Sequence, residues 1–296
     1  MLDEAAIADP SRYEVEDLKH IYIRRTKAVP EVRESLKGAW ADRGPSQPVH
    51  APATDKELAV FEELATRWIP RDRQAASVSA NQLVPYQLLK SFLSSHKALL
   101  ETIDTRIRTL DKLPDRSSTS ATRQPGSTGQ ALRAQVRSTE RTALSELRRL
   151  AERIDDGDSA KLGALVDELR ALGVGPGADT RVVVFSERIP TLRWLAETVP
   201  TKLGFAYTRT PDSKKPWLGF GGVVQVMHGE ANTDQEQQDI VEKFGLRDDP
   251  VRILFTGDIA SEGVNLHQQC HLLVHYDLPW SLIRIELDRP GLGGGP

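Results

Sequence analysis

The feature that most constrains the fold is an alternation of short apolar runs with helical segments, which begins at Thr180. Runs that are apolar throughout are typical of strands in a parallel sheet covered on both faces. The sequence predicts such strands over 181–185, 222–227, 251–255 and 271–276. Helices are predicted between them over 189–199 and 233–244, the second opened by a capping box of Thr233 and Glu236. The pattern therefore predicts βαβ units.

Upstream of the predicted sheet, the apolar residues repeat with helical periodicity. Thr54 and Glu57 predict a capping box, which opens a helix with an apolar stripe of Leu58, Phe61, Leu64 and Trp68. A second helix is predicted over 85–110. A third is predicted closer to the sheet, with inward-facing residues Leu144, Leu147, Leu150 and Ile154. We therefore expect a mainly helical region before the sheet.

Residues 114–130 are predicted to be a disordered linker, because 11 of the 17 are Ser, Thr, Gly or Pro. Such a segment buries too little apolar surface to offset the entropy that ordering would cost. After it, Arg133, Arg137 and Arg141 repeat every four residues along one helical face. We interpret this face either as a solvated surface or as a stripe that follows nucleic-acid phosphates.

Composition excludes several classes of protein. The 39 Lys and Arg against 42 Asp and Glu exclude a globally basic nucleic-acid-binding protein, although residues 106–153, with eleven basic and five acidic residues, form a local basic segment. A single cysteine excludes a disulfide framework and suits a reducing, cytoplasmic compartment. The sequence has neither an apolar run long enough to cross a membrane nor an export signal, so we expect no membrane partner.

In an open parallel sheet, functional residues collect in the loops that follow the carboxyl ends of the strands. Four such loops are predicted, at 186–188, 228–230, 256–265 and 277–280. The third is the most informative, because the sequence LFTGDIASEGVNLHQQ contains small residues and a Gly and few apolar residues. A loop that only connects two elements is usually shorter. Residues 200–222, rich in Gly, Pro and Lys, are predicted to be an inserted loop.

Several segments resemble one family. The stretches VVVFSERIPTLRWLAE, MHGEANTDQEQQDIVEKF and ILFTGDIASEGVNLHQQCHLLVHYDLPWSLIRIE resemble the second RecA-like lobe of Swi/Snf-type helicases of superfamily two. Motif V and the H-Y-D-L-P-W strand are the most specific part of this match. I-R-R-T-K at 23–27 resembles a signature at the end of the first lobe. L-S-S-H-K-A-L at 93–99 resembles a helix of bacterial members, with His96 where Pro is usual.

The resemblance implies a motor in which two lobes close on ATP and Mg²⁺ while they hold nucleic acid, expected to be double-stranded DNA. By position, it implies nucleic-acid contacts from Ser186, His228, Gly229, Thr256, Ser261, Glu262 and Trp280. It implies nucleotide contacts near the lobe interface from Asp258, Gly263 and Asn265. The one candidate for an arginine finger is Arg289. Hydroxyls and backbone N–H groups suit phosphates because they approach closely and read no sequence.

The sequence also departs from this family. It contains no G-x-x-x-x-G-K-[ST] P-loop, and the D-E-A-A at residues 3–6 imitates a DExx box with no strand before it. Gln237 stands where Arg is usual, and L-D-R-P-G replaces the Q-R-x-G-R of motif VI, so that Pro290 breaks the helix that would aim Arg289. We therefore expect no ATP hydrolysis by the chain alone, and a separately encoded first lobe as a partner. The match ends abruptly after Glu286, which suggests a frameshift or truncation as a hypothesis.

Together, these observations predict an α/β fold with a RecA-like parallel sheet and flanking helices in the C-terminal third, preceded by a mainly helical region with a disordered linker. The predicted divisions are a remnant of the first-lobe junction (1–40), a helical region (41–113), the linker (114–130), a helical connector (131–172), the helicase C-terminal lobe (173–289) and a disordered tail (290–296).

Two other functions remain open. One is a non-catalytic module that binds nucleic acid or protein on a degenerate motor lobe, and the other is an unrelated small-molecule enzyme on a doubly wound sheet. Zinc binding by His267, Cys270, His271 and His275 is not expected. Two ligands four residues apart on a strand diverge by roughly 13 Å, too far for one tetrahedral site. The sequence therefore predicts no metal site.

Overall fold

The computed structural model describes residues 46–69, 83–112, 127–210, 215–230, 232–257, 270 and 272–277, with the side chains of 127–133 left out. All the helices and strands among these residues lie in one compact unit, which begins at Pro48.

The first helix, α1 (Asp55–Glu63), begins at the predicted capping box, which is confirmed. Its predicted apolar stripe is wrong in part, because Leu58 and Phe61 are exposed. The buried residues are Val60, Leu64 and Trp68, whose four-residue spacing keeps them on one face. A π-helical turn, Leu64–Trp68, continues the helix.

The single helix predicted over 85–110 is two helices, α2 (Leu83–Ser94) and α3 (His96–Lys112). The break falls at Ser95, whose side-chain oxygen accepts a hydrogen bond from Ala98 N at 3.0 Å and so caps α3. A long helix, α4 (Ser127–Ala151), begins inside the last four residues of the predicted linker. The rest of that linker lies outside the described residues.

These four helices, which we call the helical region, enclose one apolar core. Leu144 and Leu147 are fully buried in it, as predicted, and Leu150 is partly buried. One ion pair is buried between the helices: Arg106 of α3 donates two hydrogen bonds, of 2.7 and 3.1 Å, to the Glu140 carboxylate of α4. The helical region therefore combines periodic apolar packing with one buried charged contact.

The remaining elements form what we call the lobe. It consists of α5 (Ala160–Ala171), β1 (Val182–Phe185), α6 (Ile189–Leu203), β2 (Val224–Met227), α7 (Asp234–Phe244), β3 (Ile253–Thr256) and β4 (Leu272–His275). The four strands lie in the order β2-β3-β1-β4, and every neighbouring pair is parallel, which confirms the predicted fold class. Each strand begins one or two residues later than predicted.

Both faces of the sheet are covered. Alternate residues of a strand point to opposite faces, and accordingly Val182 and Val184 belong to one core cluster while Val183 belongs to another. The helices that pack on the first face are α5 and α6, and α7 packs on the second. This arrangement explains why the strand sequences are apolar throughout.

Two predictions for the segment after α6 are wrong. The helix does not end at Val199 but continues past Pro200 to Leu203, and Gly204 closes it with a φ of 91°. The predicted inserted loop contains a 3₁₀ helix, Pro216–Phe220. Its Trp217 and Phe220 are buried in the core beneath α6, so part of this segment contributes to the lobe rather than only connecting its elements.

Candidate functional site

The loops predicted to hold the functional residues meet at one edge of the sheet. In the register of the parallel strands, Phe185 pairs with both Thr256 and His275, and Met227 also pairs with Thr256. The four strands therefore end at the same level. The residues that follow these ends form what we call the carboxyl edge.

Ser186 follows β1 at the carboxyl edge and is only 2% exposed. Its hydroxyl donates to the Asp277 carboxylate at an Oγ–Oδ2 distance of 2.6 Å and accepts a hydrogen bond from Arg188 N at 3.3 Å. The structure thus places Ser186 at the predicted edge, but with its proton already bonded to a carboxylate of the same protein.

Asp277 is the centre of a polar cluster that the sequence did not indicate. Its carboxylate also accepts from Ser94 Oγ at 2.8 Å and from Lys161 Nζ at 3.0 Å. Thr191, at the start of α6, lies 2.7 Å from both the Ser94 and the Ser95 hydroxyls. We call these residues the junction cluster: Ser94, Ser95, Lys161, Ser186, Thr191 and Asp277.

The junction cluster joins the helical region to the lobe at the carboxyl edge. Ser94 and Ser95 lie at the break between α2 and α3, whereas Ser186 and Asp277 follow β1 and β4. Beside it, the His96 ring packs edge-on against Trp194, with 4.9 Å between ring centroids. Burial lowers the pKa of His96 to about 4, so this imidazole is neutral at pH 7. Only two sequence features pointed to these residues: the L-S-S-H-K-A-L segment, which contains Ser94, Ser95 and His96, and the H-Y-D-L-P-W segment, which contains Asp277.

Thr256, a predicted nucleic-acid contact, is completely buried. Its hydroxyl donates to the carbonyl oxygen of Gly257 at 3.3 Å. Gly257 N in turn donates to Met227 O at 3.4 Å, which ties the ends of β2 and β3 together. The side chain of Thr256 is therefore buried at the carboxyl edge, and its contact with nucleic acid stays a prediction.

His228 follows β2 and is 2% exposed. Neither of its ring nitrogens has a hydrogen-bond partner among the described residues. Burial lowers the pKa of His228, and the nearby cations Arg193 and Lys215 lower it further, while Glu230 opposes them. The ring is therefore neutral at pH 7, and it contributes no positive charge for a phosphate.

Gly229 lines an open cavity of about 480 Å³ at the start of α7. The confirmed capping box of Thr233 and Glu236 shapes this helix start. The other lining residues include Glu230 and Asp234, so carboxylates dominate the cavity. Their negative charge disfavours an anionic ligand inside the cavity itself.

Other predicted site residues lie outside the described residues, and their roles stay predictions: Asp258, Ser261, Glu262, Gly263, Asn265, Trp280 and Arg289. In the predicted arginine stripe, the side chain of Arg133 is also outside the description. Arg141 forms an exposed ion pair with Asp111 across α3 and α4.

Of the four His and Cys residues at which zinc binding is not expected, the structure describes Cys270 and His275. Cys270 is buried, with its sulfur near the carbonyl oxygens of Arg181 and Leu272, and His275 stacks on Phe185 at 5.2 Å. Nowhere in the described ranges do three or more His, Cys, Asp or Glu residues come close enough to hold a metal ion. Among the described helices, none is sufficiently long and apolar to span a membrane.

Comparison with known protein families gives a match over the lobe: residues 160–288 match the family described as the helicase conserved C-terminal domain. The parallel sheet with helices on both faces is the fold expected of such a lobe. Curated protein sequences give no significant match. One matching solved structure is the Hef helicase domain of Pyrococcus furiosus, with 16% identity, a TM-score of 0.40 and 88% of this chain covered. The chain spans 54% of the length of that structure.

Proposed function

We propose that this chain provides the second lobe of an ATP-dependent, Swi/Snf-type motor that translocates on double-stranded DNA. The observation that supports this most is the match of residues 160–288 to the helicase C-terminal domain. Within that match, four parallel strands end at one carboxyl edge, where an α/β sheet binds its ligands. The type of motor and its substrate rest on the motif V and H-Y-D-L-P-W segments.

The DNA contacts in this proposal come mainly from backbone N–H groups of the loops at the carboxyl edge. Gly229 is the proposed contact after β2, because a residue without a side chain lets a phosphate approach the backbone closely from outside the acidic cavity. The proposed contacts from the loop after β3 are Ser261 and Glu262, and Trp280 is the proposed aromatic contact. The ring of His228 and the hydroxyl of Thr256 are buried, and His228 N donates to Asn232 Oδ1 at 3.2 Å, so in this proposal both residues contribute by shaping the edge at which the phosphate binds.

The residues of this chain do not by themselves fit ATP and Mg²⁺. The sequence has no P-loop, and the hydroxyl of Thr256 is buried. In our proposal a first lobe supplies those groups, and Asp258, Gly263 and Asn265 contact the nucleotide from this side. Arg289 is the proposed arginine finger. The purified chain should therefore show no ATP turnover, with or without DNA.

An ATPase assay tests this part of the proposal. We expect phosphate release at background level, because the β/γ-phosphate cradle is absent. A turnover that survives further purification and disappears in Asp258→Ala would contradict it. Addition of a first lobe that has a P-loop and a DExx box should then give DNA-stimulated hydrolysis.

The DNA-binding part is tested by fluorescence anisotropy of a labelled duplex at increasing salt. Contacts to phosphates release counterions, so affinity should fall steeply with salt and vary little with sequence. Binding that is insensitive to salt would contradict the proposal. Reversal of Arg133, Arg137 and Arg141 to Glu tests the arginine stripe. The matched control reverses three other arginines, Arg67, Arg170 and Arg247, with the same change in net charge.

A second candidate is a non-catalytic module that binds nucleic acid. It is favoured by Gln237, which stands where the resembled helix has Arg and whose amide donates to Asn232 O at 3.1 Å, at the start of α7. DNA binding without any hydrolysis in the presence of a competent first lobe would favour this module over the motor.

A further inference from the structure

To bind a phosphate, the Ser186 side chain would have to donate the hydrogen bond of its hydroxyl group. A serine hydroxyl has a single proton to donate, and phosphate oxygens only accept. In this structure the proton goes to Asp277 at 2.6 Å, in the short range typical of a hydrogen bond to a carboxylate. Ser186 can therefore donate to a phosphate only if it first releases Asp277.

Asp277 can release Ser186 without becoming an unsatisfied buried group. Its side chain is only 10% exposed, yet it has two other donors. Ser94 Oγ lies 2.8 Å from Oδ2, and Lys161 Nζ lies 3.0 Å from Oδ1. A buried carboxylate that keeps two donors avoids the large penalty of an unpaired polar group. The hydroxyl of Ser186 can therefore move from Asp277 to another acceptor.

The strength of the Asp277–Ser186 bond depends on the helical region. Because Ser94 gives its only proton to Asp277, Thr191 must donate to Ser94, and Ser95 must donate to Thr191. This chain of hydroxyls begins at the break between α2 and α3 and ends on the carboxylate. Hydrogen bonds in such a chain polarise one another.

Lys161 connects the same two parts of the molecule. Its ammonium group donates to Leu93 O at 2.8 Å, at the carboxyl end of α2, as well as to Asp277. It also lies 4.2 Å from the centre of the Tyr276 ring. The position of α2 therefore determines how many donors Asp277 has besides Ser186.

We propose that Asp277 is a positioning residue that competes with DNA phosphate for the Ser186 hydroxyl, so that the junction cluster restrains DNA binding at the loop after β1. This inference rests on the proposed function, since it assumes that DNA approaches the carboxyl edge. The carboxylate restrains binding in two ways. It holds the proton of Ser186, and its negative charge repels an incoming phosphate.

The test compares DNA affinity in the full chain and in variants of Asp277 and Ser186. Asp277→Asn replaces a charged acceptor by a neutral one, and we expect duplex affinity to rise about tenfold. Ser186→Ala should lower affinity less in the wild-type background than in the Asp277→Asn background, because in the wild type its hydroxyl is already engaged. Ser186→Ala added to Asp277→Asn should remove most of the gain in affinity. A purely structural role of Asp277 would not produce this pattern.

The matched control is Glu187→Gln, which makes the same change in charge next to Ser186. Glu187 pairs with Lys90 at 2.6 Å and lies outside the junction cluster. An equal gain in Glu187→Gln would reduce the effect to net charge and overturn the inference. So would an unchanged affinity in Asp277→Asn, or a gain that persists without the Ser186 hydroxyl.

Two further results keep the inference separate from the proposed function. Circular dichroism establishes that each variant is folded. If Asp277→Asn unfolds, Asp277→Glu, which displaces the acceptor but keeps the charge, tests the hydrogen bond alone, and we expect a smaller gain in affinity that again depends on the Ser186 hydroxyl. Normal salt-dependent binding by the wild type without the predicted pattern would overturn only the inference. Absence of salt-dependent binding in every variant would overturn the proposed function, and the inference with it.

Discussion

The helical region and the lobe use the same local devices but depend on different kinds of contact. Each contains a helix that begins with a Thr–Glu capping box, at Thr54 in one and Thr233 in the other. The helical region is completed by a buried ion pair between α3 and α4. The lobe is completed by strand pairs distant in sequence, such as Val182 with Ile253. The comparison shows that local signals begin helices in both regions, whereas distant contacts decide how each is assembled.

The polar contacts within the helical region differ from those that join it to the lobe. The pair of Arg106 and Glu140 lies within the helical region, whereas the junction cluster connects that region to the lobe. If these connections are strong, the two regions should unfold together. The following predictions test this comparison, beginning with the largest effect.

Core truncation should cost the most in both regions. Phe255→Ala in β3 should lower the free energy of unfolding by about 4 kcal/mol, and Leu144→Ala in α4 by about 3 kcal/mol, because both side chains are completely buried. We expect one common urea transition, followed by circular dichroism and by tryptophan fluorescence. Two separate transitions, each shifted by only one of the substitutions, would show that the regions are independent.

Loss of the buried carboxylate in the helical region comes next. Glu140→Ala leaves the guanidinium of Arg106 partly buried without its partner, which should cost about 3 kcal/mol in unfolding free energy. The control is Glu146→Ala on the same helix, where the pair with Arg149 is exposed and the loss of stability should be much smaller. Equal losses in the two variants would show that burial does not distinguish these pairs.

Acid should weaken the contact between the two regions through His96. Its folded-state pKa of about 4 lies below the ordinary value of 6.5, so the unfolded chain binds the proton more readily. The stability from this residue is therefore present above pH 6.5 and is lost as the pH falls towards 4. At pH 5 the loss should be about 2 kcal/mol.

Urea titrations at pH 7 and pH 5 check this prediction. Carboxylates also titrate near pH 5, so the quantity to compare is the difference between wild type and His96→Gln. This variant has no imidazole, and its stability should fall less between the two pH values. A wild-type loss no larger than the loss in His96→Gln would contradict the assignment to His96.

Substitutions in the two capping boxes should cause the smallest losses of stability, and the two losses should differ only slightly. Thr233→Ala should cost about 1 kcal/mol. Thr54→Ala should cost up to about 2 kcal/mol, because the Thr54 hydroxyl also lies 2.9 Å from Asp158 O, near the start of the lobe. Thermal unfolding of the two variants, with Ser as the conservative replacement at each site, measures the difference. A larger loss at Thr233 would reverse the expected order.

Several features of the fold were predictable from the sequence because they depend on neighbours within a few residues. The capping boxes at Thr54 and Thr233 and the strand after Thr180 are of this kind. The parallel arrangement also followed, since strands that are apolar throughout need cover on both faces. The carboxyl edge was predictable for the same reason, because parallel strands end at one side of the sheet.

Other features could not be predicted from periodicity alone. Leu58 and Phe61 fit a helical stripe with Leu64, but the neighbouring helices cover Val60 together with Leu64 and leave Leu58 and Phe61 exposed. Likewise, Trp217 lies in a segment rich in turn-forming residues, and it is buried because α6 leaves room for it in the core. In these cases more than one choice of buried side chains fits the local sequence pattern, and the packing of neighbouring elements decides which side chains are buried.

The sequence by itself determined that parallel strands alternate with helices after Thr180 and that Ser186 lies at the carboxyl edge. Only the tertiary structure decided what the Ser186 hydroxyl binds. Its acceptor, Asp277, is 91 residues away, and Ser94 reaches the same carboxylate from 183 residues away. A hydrogen bond between distant residues depends on positions to within a fraction of an ångström, and no local pattern of residue types encodes such positions.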